Sequence, residues 1–113
     1  LSHALQRFEL GHLIEQLDSE TDWSKKLSIG EQQRCSFVRA VLRKPKILFL
    51  DESTSALDEN AETLCYRHLK EELPDTILIS IGHRASLEQF HSRILELDKD
   101  TIALSATSRE ALV

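Results

Sequence analysis

Three observations predict an α/β fold for this chain. Helix-like and strand-like stretches alternate as helix, strand, helix, strand between residues 28 and 81, which indicates an α/β layer rather than separate all-α and all-β parts. Two compact apolar runs, KILFL at 46–50 and TILISI at 76–81, read as buried strands, the first of the kind covered on both faces in a central parallel sheet. The first run leads straight into Asp51 and Glu52, and α/β sheets gather their ligands at the carboxyl ends of strands.

The elements follow in order. Leu5, Phe8, Leu13, Ile14 and Leu17 lie on a helical spacing interrupted near Gly11, which predicts two short helices before a polar turn at 18–22. Ser28 stands three residues ahead of Glu31, the arrangement of a capping box, so a helix starts here. Cys35, Val38, Val41 and Leu42 continue it, and Pro45 disfavours helical geometry at Lys44, ending it near residue 43. Beyond strand 46–50, Ala61, Leu64, Cys65, Leu69 and Leu73 predict a helix over 59–73, closed by Pro74. A short helix around 85–91 then precedes RILEL and TIALS, which can pair as a hairpin across Asp98 to Asp100.

At 113 residues the chain holds at most one modest domain and is short for a complete nucleotide hydrolase. It has no methionine and begins with Leu1, from which it is expected to be part of a longer protein. The opening LSHALQRFELGHLIEQL mixes His and Glu among its apolar positions, unlike a signal peptide. With no run of 18 apolar residues, any membrane link is expected to come through a partner. Cys35 and Cys65 lack the number and spacing of a disulfide scaffold or metal site and are predicted to be buried small hydrophobes. A net charge of −5 disfavours nonspecific nucleic-acid binding. The basic block of Arg34, Arg39, Arg43, Lys44 and Lys46 falls mostly where a helix ends and complements its dipole.

Asp51, at a strand end, can hold magnesium directly or through water, and Glu52 can polarise a water for attack on a terminal phosphate. Two solvated acids closing a strand is the alternative. Neighbouring motifs weigh against it. LSIGEQQR at 27–34, ILFLDE at 47–52, SALD at 55–58 and IGHR at 81–84 occur in an order and spacing that resembles the C-terminal half of an ABC-type ATPase domain.

That resemblance implies a partial P-loop NTPase fold: a mostly parallel sheet core with flanking helices and a C-terminal hairpin. It assigns 1–43 to the helical subdomain with the signature helix, and 44–113 to the C-terminal part of the ATPase core. It makes Asp51 the Walker B ligand of Mg2+, Glu52 the catalytic glutamate, Ser55, Ala56, Leu57 and Asp58 the D-loop, and His83 the switch histidine. Ser28, Ile29, Gly30, Glu31 and Gln32 then form the signature offered to ATP on a second ABC ATPase domain, where a helix N-terminus and a glycine suit a phosphate. Ser28 can cap its helix and meet that phosphate; Asp58 fits equally a subunit boundary or the N-cap of the helix from Glu59. Ile29 and Glu31 replace the glycine and glutamine of the commonest signature, LSGGQ. With Trp23 upstream, the context resembles the branch of peroxisomal fatty-acyl transporters and bacterial peptide or cobalamin-type exporters.

Glycines occur only at 11, 30 and 82, so none opens the G-x-x-x-x-G-K-[ST] loop that cradles phosphates. The expected protein is therefore a piece of a transporter ATPase, inactive alone and prone to self-association through unpaired sheet edges. Its implied partners are the second ATPase domain and a transmembrane domain that holds it at the cytoplasmic face of a membrane, with no nucleic acid. A soluble ABC ATPase of DNA repair or translation, and a non-catalytic interaction module, are the competing expectations.

Overall fold

The computed structural model describes residues 1–106 of the chain, with side-chain surroundings described up to residue 104. Two compact units divide it, the first over Leu1–Ile81 and the second starting at Gly82.

The first unit opens with helix α1 (Ser2–Arg7) and a 3-10 helix over Gly11–Gln16. Glu9, with φ 59°, makes the turn between them. Helix α2 (Trp23–Lys26) is a single turn capped by Asp22, which the sequence reading missed because four residues carry no period. Helix α3 (Ile29–Arg43) starts at the Ser28 capping box and stops at Lys44, held in left-handed backbone (φ 49°) ahead of Pro45. Strand β1 (Ile47–Asp51) follows. Helix α4 (Glu59–Glu72), N-capped by Asp58, then returns the chain to strand β2 (Ile77–Ile81). The two strands pair in parallel from Ile47 with Ile77 to Asp51 with Ile81.

The core sits among α1, α3 and α4. Phe8, Leu10, Phe37, Tyr66 and Leu69 are its most deeply buried large side chains. Phe37 stacks on Phe8 with ring centres 6.0 Å apart and meets Tyr66 edge-on at 5.8 Å, geometries that aromatic quadrupoles favour. The Tyr66 hydroxyl donates to Ser80 Oγ at 3.0 Å, tying α4 to β2.

The structure corrects several expectations. The strands are not covered on both faces: Ile47, Phe49, Ile77, Ile79 and Ile81 are exposed, Phe49 at 72%, while Leu48, Leu50, Leu78 and Ser80 on the alternate positions are half-buried or buried. Apolar character marked both faces as fit for burial, but the described residues supply cover for one. The parallel sheet accordingly has two strands, and the antiparallel pair is a separate sheet. Cys65 is buried as expected, whereas Cys35 is only half-buried. Leu42 and Leu17 are exposed; the buried stripe of α3 is Phe37, Val38, Ala40 and Val41.

In the second unit, a 3-10 helix over Ala85–Phe90 buries Leu87 and Phe90; the expected short helix at 85–91 takes this tighter form. Strands β3 (Arg93–Leu97) and β4 (Ile102–Ala106) form the expected antiparallel hairpin, closed by Asp98 N–H donating to Thr101 O at 2.9 Å.

Candidate functional site

The start of α3 is the most fully determined part of the candidate site. Ser28 Oγ accepts from Glu31 N–H at 3.1 Å, and Ser28 N–H donates to Glu31 Oε1 at 3.0 Å, so the capping box is reciprocal. A hydroxyl that accepts one bond still has a proton to donate. The second oxygen of Glu31 meets His12 Nε2 at 2.6 Å. Together the Ser28 N–H and His12 hold the Glu31 carboxyl below its ordinary value of 4.5. Gln32 Nε2 donates to Ser24 O and Leu27 O at 3.1 and 3.2 Å. Both polar side chains of the signature stretch after Gly30 are thus engaged within the chain, where they shape the backbone at 28–30. Ile29 projects into solvent. The His12 contact escaped sequence reading because it spans nineteen residues and joins a 3-10 helix to the first turn of α3, with no periodic signal.

Asp51 closes β1 and is exposed. Glu52 follows with φ 51°, a left-handed conformation that costs a non-glycine residue on the order of 1–3 kcal/mol and persists only where its surroundings enforce it. Here the enforcement is visible: Glu52 N–H donates to Ile81 O at 3.0 Å and Glu52 O accepts from Ser55 N–H at 3.2 Å. The left-handed residue ends the extended run at Asp51. Asp51 can supply one carboxylate to a magnesium ion. Because magnesium keeps several waters and takes its remaining oxygens from phosphates, one such ligand fits a metal that arrives with a nucleotide. No group of three or more His, Cys, Asp or Glu that could hold a metal by itself exists among the described residues.

The 53–58 loop is stapled at both ends. Buried Thr54 donates its hydroxyl to the carboxylate of buried Glu62 on α4, and Asp58 Oδ1 accepts from Ala61 N–H at 2.7 Å. The N-cap expectation for Asp58 is therefore realised. Between the staples, Ser55 and Ala56 are exposed while Leu57 is buried. The loop lies against the start of α3: a Cβ on Gly30 would stand 3.3 Å from Leu57 Cδ2 and 3.6 Å from Ala56 O, so glycine lets these two segments approach closely.

His83 lies exposed in the second unit. The preceding Gly82 is required by packing, since a side chain there would come within 2.7 Å of Leu87 Cδ1. The structure thus brings Gly30 and Gln33 against residues 55–57, and places Asp51 and Glu52 at the paired ends of β1 and β2.

A parallel strand pair ending in acids and a capped helix start held against the 55–57 loop are features of an α/β protein, and sequence comparison narrows the class. Residues 1–55 match the family model described as ABC transporter. The chain is 50% identical over 93 residues to an uncharacterized ABC transporter ATP-binding protein of Haemophilus influenzae, covering 82% of this chain and 16% of that protein. It is 45% identical over 100 residues to the chloroplastic ABC transporter D family member 2 of Arabidopsis thaliana, covering 86% and 14%. It is 49% identical over 85 residues to the human lysosomal cobalamin transporter ABCD4, covering 74% and 14%. The chain is related to the ABC transporter family, and it spans about one sixth of the length of the curated relatives it matches.

Proposed function

We propose that this chain is the part of an ABC transporter ATPase that carries the general base, one magnesium ligand, the switch histidine and the signature for a partner's nucleotide. The observation that carries the reading is the exit of β1, where Asp51 and Glu52 follow one another and Glu52 is held in left-handed backbone. When bound, Mg-ATP supplies the electrophilic phosphorus and the leaving group. Asp51 holds the metal, and Glu52 accepts the proton of the attacking water. His83 takes the role of switch histidine that the family resemblance implies. The start of α3 presents the Ser28 hydroxyl and its first-turn amides to the ATP of a second ATPase domain, a setting in which helix-end N–H groups favour an anion.

In the complete protein two such domains close on two ATP molecules, and hydrolysis drives transport through a transmembrane domain. That domain holds the ATPase at the cytoplasmic face of a membrane; among the described residues no helix is long and apolar enough to cross one. The 113-residue chain alone has no phosphate cradle and is inactive. In the complete protein, Glu52→Gln keeps ATP binding while turnover falls by at least about 100-fold, the scale of a lost general base. Unchanged hydrolysis in that variant would sink the assignment.

A further inference from the structure

Gln33 lies one residue beyond the signature stretch and has no part in the nucleotide chemistry above. Its side-chain amide faces the 55–58 loop and uses both ends there. Nε2 donates to Ser55 Oγ at 2.9 Å, and Oε1 accepts from Ala56 N–H at 3.0 Å. One planar group thus fixes two successive residues of a loop more than twenty positions away in sequence. One turn earlier on the same helix, a Cβ on Gly30 would crowd Leu57 Cδ2 at 3.3 Å and meet Ala56 O at 3.6 Å, so glycine makes room for the loop. Leu57 is buried under this contact. The two features act from separate residues of α3, one polar and one steric, on the same three loop residues.

We propose that Gln33 is a positioning residue which latches the 55–58 loop to α3, so that signature and loop move as one body. The proposal rests on the ATPase reading above and deepens it. A displacement imposed on Ser28 and Gly30 by a partner's nucleotide is then carried to Ser55 and Ala56 through the amide, without any movement of β1. The loop does not need to sense the nucleotide itself. Gln33 acts through the loop, and its loss leaves ATP affinity intact.

The test compares Gln33→Leu, which keeps the size and removes both bonds, with Gln33→Glu. A carboxylate at 33 accepts from Ala56 N–H and from the Ser55 hydroxyl, so the second variant retains the latch. In the complete protein that carries this chain, hydrogen exchange at Ala56 N–H accelerates about fivefold in Gln33→Leu, the scale of one net hydrogen bond. ATP turnover falls about tenfold with KM unchanged, the cost of a loop held less well in its productive position. Gln33→Glu stays within about twofold of wild type on both counts, the scale of retaining the same two bonds.

Unaltered Ala56 exchange in Gln33→Leu overturns the latch. Equal damage from both variants overturns it as well, because it would trace the effect to side-chain shape or charge instead of the two bonds. Faster exchange with unchanged turnover overturns the transmission. A wild-type protein that hydrolyses no ATP would defeat the ATPase reading, and the exchange comparison would still decide the latch.

Discussion

The helical body of the first unit and its strand pair are built from similarly apolar residues, yet one is closed and the other half open. Around Phe8, Phe37 and Tyr66 every large ring is buried and touches another ring. Across the odd positions of β1 and β2 five large apolar side chains face outward. Contiguous exposed apolar surface of this kind marks a place where something else packs. The contrast shows that α3 belongs to a self-contained cluster, whereas the strand that ends in Asp51 keeps one apolar face uncovered by the described residues.

The sharpest way to break this comparison is to cut a side chain from each region. Phe37→Ala should cost about 3–5 kcal/mol, the scale of a deleted core ring, seen as a lower urea midpoint of the chain. A loss below about 1 kcal/mol, the range of ordinary substitutions, would mean that the rings do not form a packed core. Between the extremes stands the Glu31 carboxyl, which the Ser28 N–H and His12 hold below its ordinary 4.5. A depressed carboxyl adds stability above the unfolded-state value and loses it as pH falls through the folded one. Acid titration of unfolding should therefore show a step below about pH 4.5 that Glu31→Gln removes; an identical acid limb in both proteins would refute it. The smallest stability change belongs to Phe49→Lys, within about 0.5 kcal/mol because nothing packs on that ring. The same change should shift the chain toward monomer in sedimentation, and strong destabilisation instead would show that the face is already covered.

Legibility followed the range of each interaction. The capping box at Ser28 and Glu31 and the cap at Asp58 span three residues, so sequence spacing reveals them directly. The acids at the exit of β1 were legible because an apolar run ends abruptly. The Gln33 latch and the His12 contact join residues twenty-two and nineteen apart through side chains that carry no periodicity, and only the folded backbone brings them together. The open strand face was misread for another reason. Residue type records what a strand is able to bury; it does not say whether the covering partner is present. Leu42 was expected on the buried stripe of α3, which instead runs through Phe37, Val38, Ala40 and Val41 and leaves Leu42 exposed.

The parallel register has one more consequence, for the order in which the chain assembles. Ile47 finds its partner at Ile77, thirty residues on and across the whole of α4. The hairpin pairs Leu97 with Ile102 across a four-residue connection. Loop-closure entropy delays the distant pairing far more than the near one, and an isolated hairpin closes on the order of microseconds. The strand that ends in Asp51 thus depends on a distant partner, and during synthesis its apolar residues have no β2 to pair with until α4 and β2 have followed.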